Sequence, residues 1–154
     1  MNKLIILILL IMPAVSSAGV FPERNAIALK GVTAFDASAY VAAALGVEEV
    51  INESSFETAL NDAFVLGLRR DGVEVTGSAP NYLYCTVMIG GNGPGTIVYS
   101  VNIQFYDYDS EGLNTLLWEV NSILSVGSSN FNAKDVAQDC VDLFASDWLA
   151  QNPK

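Results

Sequence analysis

A run of alternating side chains at residues 96–106 constrains the fold of this chain more than any other feature. Its apolar positions are Ile97, Tyr99, Val101, Ile103 and Phe105, and its polar positions between them are Ser100, Asn102 and Gln104. A period of two indicates a strand with one dry face and one wet face. Glycine-rich and aspartate-rich segments at 90–95 and 107–112 flank the run and favour turns. The pattern therefore predicts the middle strand of an antiparallel meander.

The segments around this strand predict the rest of a sheet. Tyr82–Ile89 and Thr115–Leu124 are the expected outer strands of the meander. Ala26–Phe35 is apolar and β-branched, so we expect a first strand there, joined to the sheet by a crossover connection. The alanine-rich segment 36–50 is expected to be irregular or partly helical, because Gly46 and Val47 interrupt its helical pattern.

Two segments predict helices. Ser54 and Glu57 have the spacing of a capping box, and Gly72 is placed to end the helix that follows. A second amphipathic pattern predicts a closing helix from about Ala133 to Ala150. Two helices with apolar stripes need an apolar face of the sheet to pack against. We therefore expect an α+β two-layer sandwich, with a mostly antiparallel sheet of about four strands and both helices on one face.

The amino terminus has the pattern of a secretory signal peptide. Lys3 precedes the apolar run Leu4–Met12, Pro13 ends that run, and the small residues 16–18 follow. The apolar run is far shorter than the roughly twenty residues of a spanning helix, although an uncleaved anchor is the alternative. We predict cleavage after Ala18, a single domain at 19–154, and a periplasmic or secreted location. No cysteine lies near the cleavage point, so we expect neither lipid attachment nor, after cleavage, stable membrane insertion.

Cys85 and Cys140 are the two cysteines of the chain. Cys85 alternates with apolar residues of a predicted strand, and Cys140 lies on the apolar stripe of the closing helix. In an oxidising compartment this arrangement favours a disulfide between sheet and helix, which would contribute about 4 kcal/mol in the chain-entropy model. Two buried thiols are the alternative.

Composition excludes several functions. The formal net charge is −10, which would repel nucleic acid and anionic lipid, although the acidity can also serve solubility alone. The chain has no histidine, which excludes histidine-based catalysis and histidine metal sites. We expect no cofactor, because the glycines at 90–95 lack the lysine of a phosphate-binding loop and the helix of a dinucleotide fingerprint.

The segment 107–112 resembles the first half of a calcium-binding loop. Asp107, Asp109 and Glu111 occupy positions 1, 3 and 5, and Gly112 occupies position 6. Position 12 is Trp118 rather than glutamate, and the predicted flanks are strands. The same residues are typical of a hairpin turn, so the calcium site is the weaker interpretation.

Aromatic residues mark a candidate partner surface. If Cys85 faces the helices, then Tyr82, Tyr84 and Met88 lie on the other sheet face. We expect three further apolar residues near them, namely Val98, Leu117 and Ile123. Either the segment 37–50 folds over this face, or a partner protein covers it.

The chain resembles a loose group of small bacterial envelope proteins, many of them lipoproteins of unknown function. The resemblance lies in Asn52–Leu60, Arg70–Gly72, Asn81–Leu83, Tyr106–Asp109, Trp118–Glu119 and Asp147–Leu149. It implies a strand–helix–meander–helix layout and an envelope location, without catalytic residues. We therefore expect a non-enzymatic binding or assembly module with an envelope protein as partner. A small calcium-dependent or carboxylate-based hydrolase is the alternative function.

Overall fold

The computed structural model describes residues 26–47, 50–91, 95–108 and 114–153, which form one mixed sheet and two long helices. The strands are β1 (Ala34–Leu45), β2 (Glu74–Val75), β3 (Asn81–Gly91), β4 (Thr96–Tyr108) and β5 (Asn114–Gly127). The long helices are α1 (Glu53–Arg70) and α2 (Ala133–Gln151). A helical turn at 26–28 and a 3₁₀ turn at Ser128–Asn130 complete the described elements. The predicted α+β class is confirmed.

The sheet is mixed, with the strand order β2-β1-β3-β4-β5. Strands β3, β4 and β5 form the expected antiparallel meander. Strand β1 runs parallel to both β2 and β3. The predicted sheet of about four mostly antiparallel strands is therefore wrong. The connection from β1 to β2 passes through helix α1, and a helical connection of this kind joins parallel strands.

The first strand lies later in the chain than its sequence indicates. It begins at Ala34 and occupies much of the segment that was expected to be irregular, whereas residues 26–28 are helical. Within the strand, Ala37, Ala39 and Val41 are buried in the core, and the residues between them are more exposed. Packing under the helix layer thus overrides the weak strand propensity of alanine.

Asparagine caps both long helices. The side chain of Asn52 accepts a hydrogen bond from the Ser55 amide at 3.1 Å, and Asn132 does the same for Asp135 at 3.0 Å. The expected capping box at Ser54 and Glu57 is wrong. Instead, Glu57 lies within helix α1 and accepts a hydrogen bond from the Val41 amide of β1 at 2.8 Å.

Both helices pack on one face of the sheet around an aromatic core. Phe144 of α2 contacts the rings of Phe35, Trp118 and Trp148. The two helices approach closely at Gly67, where an added Cβ would lie 2.7 Å from Cγ2 of Val141. The helices consequently exclude solvent from this face over β1, β3 and β4.

A disulfide joins Cys85 of β3 to Cys140 of α2, with the two Cα atoms 6.3 Å apart. Both residues are fully buried. The bridge crosses from the sheet layer to the helix layer and links residues 55 positions apart. It therefore covalently fixes the closing helix to the centre of the sheet.

Candidate functional site

The sheet face opposite the two long helices carries most of the tyrosines. Successive side chains of a strand point to opposite faces, so the even-numbered residues of β3 and β4 lie on this face while the odd-numbered ones enter the core. We call this surface the open face. The tyrosine cluster consists of five residues on it: Tyr40, Tyr82, Tyr84, Tyr106 and Tyr108. The chain has six tyrosines, so only Tyr99 is assigned to the core face.

Ring contacts connect four of these tyrosines across β3 and β4. The ring centroid of Tyr82 lies 4.6 Å from that of Tyr108 and 6.1 Å from that of Tyr84. The rings of Tyr84 and Tyr106 are 6.0 Å apart. Tyr40 on β1 extends the surface and is 41% exposed. The cluster is thus a partly exposed aromatic surface supported by three adjacent strands.

Two tyrosine hydroxyls of this cluster, those of Tyr84 and Tyr106, have a raised pKa. Partial burial raises the pKa of Tyr84, and the adjacent tyrosines and Asp36 raise it further. Partial burial also raises the pKa of Tyr106, to which Glu119 adds. These two hydroxyl groups therefore remain hydrogen-bond donors at neutral pH.

A hydrogen-bonded network of polar side chains adjoins the cluster. Glu119 Oε1 accepts hydrogen bonds from Asn102 Nδ2 at 2.7 Å and from Gln104 Nε2 at 2.9 Å. The Tyr106 hydroxyl donates to Gln104 Oε1 at 3.2 Å. Asn102 Oδ1 is shielded from solvent and has no hydrogen-bond partner. The network fixes the orientation of Tyr106 and places one carboxylate in the middle of the open face.

The far end of the open face is apolar. Met88 is 53% exposed and Ile123 of β5 is 78% exposed, and Val98 lies between their strands. Together with Leu45 they line a shallow depression. Leu117 does not join them, because a bulge at this residue shifts the pairing of β5 and it packs against the core instead. The open face thus combines an aromatic half, a polar centre and an apolar end.

The structure places the sequence-predicted residues as follows. Tyr82, Tyr84 and Met88 lie together on the open face. The suggestion that segment 37–50 covers this face is wrong for its described residues, since 37–45 form part of β1 within the sheet. Tyr40, Tyr106 and Tyr108 were not assigned to this surface from the sequence. The alternation of β4 continues past Gln104 to Tyr108, so that pattern could have located two of them.

The candidate calcium loop falls mostly outside the described residues. Asp107 lies on β4, whereas Asp109 and Glu111 are not described. Among the residues that the structure does describe, no group of three acidic or cysteine side chains is arranged to hold a metal ion. The calcium-dependent or carboxylate-based hydrolase remains a prediction from the sequence.

Comparison with known proteins identifies only distant similarity of fold. No protein-family model matches the chain, and no curated protein matches it. A dodecamer of a PelC variant from Paraburkholderia phytofirmans is 18% identical, with a TM-score of 0.47, over 73% of this chain and 86% of that one. A minor lipoprotein from Acinetobacter baumannii is 11% identical, with a TM-score of 0.40, over 76% and 93%. Rare lipoprotein B from Shewanella oneidensis is 10% identical, with a TM-score of 0.26, over 73% and 88%. At these values the similarity transfers neither function nor assembly to this chain.

No helix of the described residues combines the length and the apolar character needed to cross a bilayer.

Proposed function

We propose that this protein is a non-enzymatic binding module of the bacterial envelope, and that it contacts a partner protein through its open face. The observation that carries the proposal is the concentration of five of the six tyrosines on the sheet face opposite the helices. Tyrosine supplies a large contact area, a polar tip and few rotatable bonds, and it is enriched at protein interfaces.

The packed strands that carry the tyrosine cluster favour a role in binding. Tyr84 and Tyr106 lie on strands whose opposite faces are fully packed, and neighbouring rings and the Gln104 amide restrict their movement. A contact surface that is ordered before association loses less conformational entropy on binding. Regularly spaced tyrosines on a rigid sheet therefore suit recognition of a folded partner.

The charge of the open face restricts the class of partner. Asp36 and Glu119 lie on this face, and the described strands β1, β3, β4 and β5 contain no lysine or arginine. The chain as a whole has a formal net charge of −10. Nucleic acid and anionic lipid would be repelled, so the proposed partner is a protein with a neutral or basic surface.

Two features support an extracytoplasmic location. Residues 1–18 have the pattern of a secretory signal, and the disulfide between Cys85 and Cys140 suits an oxidising compartment. We therefore place the proposed binding in the periplasm or outside the cell, after removal of the signal peptide.

Affinity purification with cross-linking tests this function. Tagged protein would be expressed in its natural host, cross-linked in intact cells and recovered from envelope extracts. The test variant combines Tyr84→Ser with Tyr108→Ser. The matched control combines Leu66→Ser with Leu149→Ser, which removes two exposed apolar side chains from the helix layer.

We expect the unmodified protein and the leucine control to recover the same partner, and the tyrosine variant to recover at least about tenfold less. Both variants should retain the thermal transition of a folded protein. Recovery of no partner after cross-linking, or equal recovery by the tyrosine variant, would contradict the proposal.

A further inference from the structure

The two edges of the sheet differ in how their backbone groups are paired. At the β1 edge, strand β2 pairs only with Ala34 and Phe35. Beyond those two residues, side chains of helix α1 hydrogen-bond to the β1 backbone. Asn61 Oδ1 accepts a hydrogen bond from the Ala39 amide at 3.0 Å. Glu57 likewise accepts one from Val41. Side chains of the helix thus close this edge against a further strand.

The β5 edge has no such closure among the residues that the structure describes. All 14 residues of β5 except the bulge residue Leu117 pair with β4 on one side, and no described group hydrogen-bonds to the backbone on the other side. Every second residue of an edge strand directs its amide and carbonyl groups outward. β5 also contains no lysine, arginine or proline, the residues that commonly protect an exposed edge. It therefore presents a long row of backbone donors and acceptors.

An acidic cleft lies beside this edge on the helix side. One wall of the cleft is formed by three residues of β5, namely Val120, Ser122 and Leu124. Its other wall is helix α2, which contributes Leu143, Ser146 and the carboxylates of Asp139, Asp142 and Asp147. The cavity volume is about 410 Å³, and no basic residue lines it. The β5 wall is therefore mainly apolar, and the α2 wall is negatively charged.

Neutral donors hold the carboxylates of the cleft in place. The Tyr99 hydroxyl donates to Asp139 Oδ2 at 2.5 Å, and Trp118 Nε1 donates to Asp147 Oδ2 at 3.0 Å. The amide of Gln138 donates to Asp142. These bonds orient the carboxylates without neutralising their charge. Arg70 of α1 donates to Gln138 Oε1 at 2.8 Å, but its ion pair is with Asp71, so the three carboxylates leave the cleft with a net negative charge.

We propose that the β5 edge binds an extended segment of a partner protein by strand addition, and that this segment carries lysine or arginine at every second position. Its backbone would pair with the outer edge of β5. Its cleft-facing side chains would lay their methylene groups on Val120 and Leu124, and their charged ends would reach Asp139 and Asp142. This surface is separate from the open face, so each proposal can fail without the other.

Charge argues against a second copy of this chain as the occupant. A two-fold pairing of one β5 edge with another would bring two acidic clefts side by side. Each copy also has a formal net charge of −10. Like charges at an interface oppose association, whereas a basic segment complements the cleft.

Titration with defined peptides, followed by two-dimensional amide NMR of the purified protein, tests this proposal. The probe is a capped peptide that alternates lysine and threonine. We expect it to shift the amide resonances of 119–125 and 139–147, and to do so less at high salt. One control peptide replaces lysine with glutamate. A second keeps the lysines but carries N-methyl groups on the amides that would pair with β5, and we expect neither control to bind.

A charge reversal in the protein supplies the matched variants. Asp142→Lys replaces the exposed carboxylate of the cleft with an ammonium group. It should weaken binding of the lysine peptide about tenfold, since one attractive charge is lost and one repulsive charge is added. Asp62→Lys makes the same change on an exposed aspartate of α1, beside the closed edge, and should leave binding unchanged.

Three results would overturn the proposal. Equal shifts with the N-methylated peptide would show charge attraction without strand pairing. Equal weakening by Asp62→Lys would show a response to net charge alone. Resonances of 119–125 that move with protein concentration in the absence of peptide would show that a second copy occupies the edge.

Discussion

The two faces of the central sheet use aromatic residues in opposite ways. On the helix side, Phe35, Phe105 and Phe144 are almost fully buried, and Phe35 contacts the other two rings edge to face. On the open face the same strands carry tyrosines, which are partly exposed and whose hydroxyls reach polar neighbours or solvent. The helix side of the sheet thus stabilises the fold, whereas the open face is available for contact. Substitutions on the two faces should therefore affect different measurements.

Removal of a core ring should give the largest loss of stability. Phe144→Ala deletes a fully buried ring that packs against three other aromatic rings, and we expect the free energy of unfolding to fall by about 3–5 kcal/mol. Tyr84→Ala on the open face should cost about 1 kcal/mol or less. Denaturant titrations of both variants measure the difference. Similar losses would mean that the open face is part of the core.

Loss of the disulfide should have an effect of similar size on the helix side. Replacement of both Cys85 and Cys140 by alanine releases a constraint between residues 55 positions apart, which is worth about 4 kcal/mol in the chain-entropy model. The midpoint of chemical unfolding should fall accordingly, while peptide binding at β5 persists under conditions where the variant is folded. A variant as stable as the unmodified protein would show that the bridge adds nothing to the fold.

The pH dependence of stability should distinguish Tyr99 from the open-face tyrosines. Burial and the hydrogen bond to Asp139 raise the pKa of Tyr99 above its usual value of 10.0. The unfolded chain releases this proton near pH 10 while the folded chain retains it, so the associated stability is fully present below pH 10 and is lost as the pH rises further.

Tyr99→Phe should consequently flatten the fall in stability above pH 10 more than Tyr84→Phe does, because burial raises the pKa of both hydroxyls and the hydrogen bond to Asp139 raises that of Tyr99 further. Urea titrations between pH 8 and 11 provide the measurement. An equal slope for Tyr99→Phe and the unmodified protein would contradict the assignment of Tyr99 to the helix side.

Local patterns were sufficient to predict the meander, the two long helices and the position of Tyr82, Tyr84 and Met88. They were not sufficient for β1, because alanine favours a helix in isolation and only the packing of α1 above Ala37 and Ala39 makes a strand preferable. The two-residue strand β2 is too short to show an alternating pattern of apolar and polar residues. Its pairing depends on the crossover through α1, which no local pattern encodes.

The candidate surface was predicted only in part for the same reason. Tyr40 belongs to the misassigned strand, so its place beside Tyr84 followed from β1–β3 pairing rather than from sequence spacing. The closure of the β1 edge by Asn61 and Glu57 likewise depends on where helix α1 lies above the sheet. Spacing within a segment predicts which residues share a face, whereas contacts between segments require the topology.

Site-specific photo-cross-linking tests the proposed role of the open face most directly. A photoreactive amino acid would be placed at position 84 on the open face or at position 66 on the helix layer, and cells would be irradiated before the envelope is extracted. We expect a discrete cross-linked protein adduct from position 84 and none from position 66. No adduct at position 84, or the same adduct from both positions, would contradict the proposed role of the open face.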